Sequence, residues 1–151
     1  GSERVGIRLS PAGFNGGMFD ENPVESYGYV IKNLGKFNLA YLHLMEGPTP
    51  NEDQPLYHIF KQGVAKVFRS LYKGNIIING GYTKEKGDAV IASGDADMVS
   101  FGIPFLSNPD LPERFRVNAA LNPLQGHETF YGGGEKGYTD YPTLKEVAVE
   151  A

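Results

Sequence analysis

The chain contains no cysteine. Disulfides, thiolate zinc sites and a cysteine nucleophile are therefore excluded. A basic block is also missing: 14 Lys and Arg stand against 18 Asp and Glu, for a net charge of −4. The electrostatic footprint of nucleic-acid binding is absent with it. No apolar run approaches the roughly 20 residues that cross a bilayer. The sequence opens without the charged and apolar regions of a signal peptide. A cytoplasmic protein with no membrane and no nucleic-acid partner is the expectation. No G-x-G-x-x-G fingerprint occurs. The histidines His43, His58 and His127 do not have the spacing of a metal motif, so no metal site is expected.

What is present is ordinary globular material. The 151 residues are 40% apolar and 21% charged, about one domain's worth with enough apolar surface for a core. Arg4 to Ser10 reads as a strand that stops at Pro11. Pro23 to about Phe37 reads as a helix, with apolar Val24, Tyr27, Val30, Ile31 and Leu34 at helical spacing. Leu39 to Met45 is a second strand and Glu46 to Asn51 a loop. About Pro55 to Leu71 reads as a second helix, with Phe60, Val64, Val67, Phe68 and Leu71 on one stripe. Asn75 to Asn79 is a third strand, and Thr83 is an N-cap for a helix running to about Ser93. Asp97 to Phe101 is a fourth strand. Helical turns near 104–106 and 111–115 and a short closing helix from Thr143 complete the pattern.

Near-continuous apolar strands separated by amphipathic helices indicate parallel βα units. The rhythm fits a (β/α)8 barrel or a doubly wound sheet. Four units over residues 1–108, with a tail over 109–151, are too few for a barrel of about 250 residues. Such a piece leaves open edges and an uncovered face, so the arithmetic suggests half of something.

Two turns stand out at strand ends. Asn79-Gly80-Gly81-Tyr82-Thr83 follows the third strand and Phe101-Gly102-Ile103-Pro104 the fourth. Glycines before helix N-termini can cradle a phosphate; ordinary βα turns use the same residues. Arg8 lies inside an apolar strand and should meet a carboxylate such as Glu46 or Asp97, or an electron-rich ligand. His43, between Leu42 and Leu44, reads as hydrogen-bonded packing. Glu46 is a candidate acid or base, with salt-bridge duty the plainer reading.

At this point the residues resemble a known family. Val5-Gly6-Ile7-Arg8-Leu9-Ser10-Pro11, Leu39-Ala40-Tyr41-Leu42-His43-Leu44 and Asn79-Gly80-Gly81-Tyr82 are similar to the old yellow enzyme family. So are Asn108-Pro109-Asp110-Leu111-Pro112-Glu113-Arg114-Phe115, Leu121-Asn122-Pro123, Thr129-Phe130-Tyr131 and Gly137-Tyr138-Thr139-Asp140-Tyr141-Pro142. The resemblance covers nearly the whole chain. It implies a TIM (β/α)8 barrel of which this chain supplies the last four βα units and the C-terminal tail. It also implies FMN as cofactor, NADH or NADPH as reductant, and hydride transfer to activated alkenes: enones, enals, maleimides or nitroalkenes.

By the same resemblance Arg8 is expected at the flavin pyrimidine edge, where a fixed cation stabilises an anionic reduced flavin. Gly80, Gly81, Gly102 and Ile103 are expected to give backbone N–H groups to the FMN phosphate. Phe130 should border the flavin, and Phe14 and Tyr131 the substrate pocket. The position of Ile103 is commonly Arg in the family, so a charge-assisted bond is lost there. The family's substrate-binding pair and proton-donating tyrosine belong to the first half of the barrel, and their motifs do not occur here. No catalytic residue is expected in this chain. A complementary N-terminal half is the expected partner. The alternative is a non-catalytic half-barrel that pairs with a second copy of itself and binds FMN or another phosphate ligand.

Overall fold

The computed structural model describes residues 1–13, 17, 19–47, 56–131 and 134–149. It divides into two compact units, Gly1–Ser100 and Phe101–Ala151.

The first unit is built on a parallel sheet in the order β1-β2-β3-β4. The strands are β1 (Gly6–Leu9), β2 (Tyr41–Met45), β3 (Ile76–Asn79) and β4 (Met98–Ser100). Helix α1 (Pro23–Leu34) joins β1 to β2. Helices α2 (Tyr57–Phe60) and α3 (Val64–Phe68) lie between β2 and β3, and α4 (Lys84–Ala92) lies between β3 and β4. Register pairs Arg8 with His43, His43 with Ile77, and Asn79 with both Met45 and Ser100.

Side chains alternate across a strand, and the two faces of this sheet differ. One face carries Leu42, Leu44, Ile76 and Ile78, all fully buried. They pack in one cluster with Ile31 of α1, Phe60 of α2, and Val64 and Phe68 of α3. Each such side chain contributes about 1.5–3 kcal/mol by leaving water. The opposite face carries Gly6, Arg8, Tyr41, His43, Ile77, Asn79, Met98 and Ser100. Arg8, Tyr41 and Met98 are exposed, and the others named from β2 to β4 are half-buried.

Helix α1 has Pro in its first turn, where a missing N–H costs nothing. Its buried side is Gly28 and Ile31, with Tyr27 and Leu34 packed against the core. Val24 and Val30, expected on that stripe, are exposed. For Val30 the cause is angular: one residue is about 100° of rotation away from Ile31.

The single helix expected from about 55 to 71 is broken. Helix α2 ends at Phe60, and Gly63, the residue before α3, takes φ 100°, which no helix continues through. The N–H of Val64 then turns to the carboxylate of Glu46, at 3.0 Å, and α3 starts from there. The expected N-cap of α4 is present: Thr83 Oγ1 accepts from the Lys86 N–H at 3.3 Å. Among the described residues no helix is long and apolar enough to cross a membrane.

The second unit contains α5 (Ile103–Ser107), α6 (Leu111–Val117) and α7 (Leu144–Val149). It is tied together by polar side chains rather than by a sheet. Arg114, 2% exposed, pairs with Asp110 at 2.7 Å and donates to the carbonyls of Ala120 at 2.7 Å and Pro142 at 3.0 Å. The other oxygen of Asp110 accepts from the Leu144 N–H at 2.6 Å. Asn108, fully buried, donates to the Pro104 carbonyl at 2.8 Å and accepts from the Asn122 N–H at 2.8 Å. Asn122 in turn donates to the carbonyls of Ser107 at 2.8 Å and Pro142 at 2.7 Å. Burial alone would raise the Asp110 carboxyl, but hydrogen bonds from Leu144 and Arg114 outweigh it and hold it below the ordinary range. A capping box opens α7, with Thr143 and Glu146 each accepting from the other's N–H.

Candidate functional site

The open face of the sheet carries a connected polar network. Arg8 Nη2 donates to Asn79 Oδ1 at 3.0 Å. Asn79 Nδ2 donates to the Ser100 carbonyl at 2.8 Å. Ser100 Oγ lies 3.3 Å from His43 Nε2. The strand register makes this possible: Asn79 sits beside Ser100, and His43 beside Arg8.

Arg8 pairs with neither carboxylate expected of it. Asp97 is taken by Arg69 at 2.8 Å and by the Ile76 N–H at 2.7 Å. Glu46 accepts from Val64 N–H and Tyr82 O–H instead. A guanidinium has five N–H donors, and the bond to Asn79 uses one, so Arg8 presents a cation with further donors on an exposed face. Burial, and then the charge of Arg8, push the His43 imidazole below its ordinary pKa. It is therefore neutral near pH 7, hydrogen-bonded within the sheet as its position suggested.

The turn after β3 is shaped for close approach. Gly80 takes φ 115°, and a Cβ there would overlap the Glu46 carbonyl oxygen and lie 3.1 Å from its carbon. Only glycine fits. A Cβ on Gly81 would meet nothing within 4 Å, so the backbone at Gly81 faces open space. In the second unit the same holds for Gly102, which precedes α5. Ile103 opens that helix with its side chain 55% exposed. These are the features that backbone donors need to reach a phosphate. Within the first unit, the Arg8 cation and the Gly80–Gly81 turn have the chemistry that a flavin mononucleotide needs.

Glu46 joins the strand end to this turn. Its N–H donates to the Asn79 carbonyl at 2.7 Å, and its Oε1 accepts from the Tyr82 hydroxyl at 3.0 Å. Burial raises its carboxyl above the ordinary value, although the bonds from Tyr82 and Val64 and the charge of Lys86 pull the other way. Burial and the neighbouring Glu46 raise the Tyr82 phenol well above its usual range. No ion pair to Glu46 occurs among the described residues, so the salt-bridge reading is replaced by a hydrogen-bonded hub. Glu46, Gly80, Gly81 and Tyr82 also line a cleft of about 510 Å³ that Lys61, Lys66 and Lys86 border. Arg8, His43, Asn79 and Ser100 do not line it.

Phe14 lies outside the described residues. Phe130, 7% exposed, stacks on His127 with ring centres 4.6 Å apart. Its neighbour Tyr131 is 84% exposed. No metal-holding cluster of His, Cys, Asp or Glu occurs among the described residues. Sequence reasoning missed Asn79 and Ser100. The usable signal was parity: both lie on the same face as Arg8 once the strands are in register.

The profile of the NADH:flavin oxidoreductase / NADH oxidase family matches residues 1–122. The chain belongs to this family. It is 38% identical to 12-oxophytodienoate reductase 2 of Arabidopsis thaliana, over 98% of this chain and 39% of that protein. It is 40% identical to 12-oxophytodienoate reductase 1 of Oryza sativa subsp. japonica, over 100% of this chain and 39% of that protein. Among solved structures it resembles morphinone reductase, with TM-score 0.83, 41% identity and coverage of 97% of this chain and 38% of that one. It also resembles the old yellow enzyme from Trypanosoma cruzi, with TM-score 0.83, 37% identity and coverage of 95% and 36%. The chain thus spans about two-fifths of the length of the relatives it matches. Its four parallel βα units are part of the (β/α)8 barrel of this family, from the C-terminal portion.

Proposed function

We propose that this chain is the cofactor-holding part of an FMN-dependent ene-reductase of the old yellow enzyme type. The observation that carries this reading is the Arg8–Asn79–Ser100–His43 network on the open sheet face, beside a glycine turn with room for a ligand, in a chain of this family. The chemistry that FMN supplies when bound is hydride transfer from NADH or NADPH to the C=C bond of activated alkenes: enones, enals, maleimides or nitroalkenes.

The chain's own residues would bind and orient. Arg8 would hold a positive charge at the pyrimidine edge of the flavin, where negative charge accumulates on reduction. Asn79 would fix the direction of that guanidinium. Gly80 and Gly81, and from the second unit Gly102 and Ile103, would donate backbone N–H groups to the phosphate. Phe130 would border the flavin, and Phe14 and Tyr131 the substrate pocket. The groups that bind the substrate carbonyl and donate the proton would come from a complementary N-terminal half. A cytoplasmic setting suits the cysteine-free composition.

Native mass spectrometry of the protein as isolated, with FMN retained, tests this reading. A species containing this chain, the remaining barrel units and one FMN, with alkene-dependent NAD(P)H oxidation, is the expected result. The outer edges of β1 and β4, which pair with no further strand among the described residues, favour one alternative, a self-associating half-barrel. A homodimer that carries FMN but does not oxidise NAD(P)H would establish that alternative and sink the enzyme reading.

A further inference from the structure

We propose that Glu46 and Tyr82 are positioning residues that hold the Gly80–Gly81 turn open for the phosphate of the cofactor. The inference rests on the function proposed above and adds to it the residues that shape the turn.

Glu46 touches the turn at three points. Its N–H donates to the carbonyl of Asn79 at 2.7 Å, carrying the β2–β3 ladder past the end of β2. Its own carbonyl packs against Gly80, where no Cβ could fit. Its side chain accepts from the hydroxyl of Tyr82 at 3.0 Å. Residues 79, 80 and 82 are thus each held by Glu46. Gly81, between them, is the residue whose Cβ position is empty to 4 Å. The turn is clamped on both sides of the one residue that faces open space.

The same carboxylate is fixed from behind. Val64 N–H donates to Glu46 Oε1 at 3.0 Å, so the start of α3 anchors the clamp. Hydrogen bonds to a carboxylate are about twice as strong as neutral ones. Removing the hydroxyl of Tyr82 therefore frees the far side of the turn and leaves the Val64 bond and the α3 start in place. A role confined to helix capping would be indifferent to that change.

The test compares FMN with riboflavin, which lacks the phosphate. Dissociation constants for both are measured on the protein as isolated, after removal of its flavin, for wild type, Tyr82→Phe and Glu46→Gln. Glu46→Gln keeps an acceptor oxygen for Val64, so both variants retain the helix start. Wild type should hold FMN more tightly than riboflavin. Tyr82→Phe should weaken FMN by about tenfold with riboflavin unchanged, and Glu46→Gln should lower the same ratio. An unchanged FMN-to-riboflavin ratio in both variants overturns the inference, as does a parallel loss for both ligands. A wild type that holds the two equally overturns the proposed phosphate site itself, and the inference with it. The wild-type measurement therefore separates the two failures.

Discussion

Ile103 is a residue at which the resemblance leads one to expect a different side chain. It opens α5 with an apolar side chain 55% exposed, at a position the resemblance associates with arginine. Its backbone N–H remains available in the first turn of the helix. A guanidinium there would add a charge-assisted bond to phosphate worth about 1.5–3 kcal/mol. Ile103→Arg is therefore expected to tighten FMN binding by roughly ten- to a hundredfold, read by quenching of flavin fluorescence. No gain would remove Ile103 from the phosphate site. Arg8 shows what a single residue reveals before folding. An arginine inside an apolar strand called for a carboxylate or an electron-rich ligand, but the partner could not be named, because a strand sequence does not state its neighbours. The structure supplies Asn79, two strands away.

At the scale of elements, the break between α2 and α3 was not legible. The stripe from Phe60 to Phe68 keeps helical spacing across Gly63, and hydrophobic period is blind to a glycine at φ 100°. The cap that rewards the break comes from Glu46, far away in sequence. The start of α4 was legible because Thr83 caps it locally. The tail presents the opposite case. Its motifs from Asn108 to Arg114 and at Asn122 and Pro142 are the most distinctive in the chain, and their polar groups are spent on the unit itself. They satisfy one another, with Arg114 as the central donor. Replacing Arg114 by leucine removes the ion-pair partner of Asp110 and the guanidinium donors to the carbonyls of Ala120 and Pro142. A loss of about 3–5 kcal/mol in unfolding free energy is expected, measured by denaturant titration. A change under 1 kcal/mol would show that the cluster is not what holds this unit.

The first unit is a sheet whose helices pack, among the described residues, on one face. Its helix-covered face could be listed from sequence, because apolar strands at regular intervals between amphipathic helices leave few alternatives. The open face was foreseen from chain length, but not its contents. Tyr41 and Met98 are exposed there, beside the polar network, as apolar surface rimmed by polar groups often is at a contact site. Met98→Lys should cost the chain itself less than about 0.5 kcal/mol, since an exposed substitution rarely costs more. Assembly with the rest of the barrel, or with a second copy, should be lost. Thermal melting and native mass spectrometry read these two quantities separately. Assembly that survives the charge would show that this face is not the joining surface.

The alternation of the strands also sets how this protein can change over generations. Leu42, Leu44, Ile76 and Ile78 answer to folding, while the codons interleaved with them, for His43, Ile77 and Asn79, specify the opposite, half-buried face. Point substitutions at the second set leave the first untouched, so that face can drift on a constant scaffold. Loss of a single codon inside β3 would exchange the two sets at once. A mutational scan of this gene should therefore show β2 and β3 as combs of tolerant and intolerant positions for abundance, with every in-frame deletion in them null.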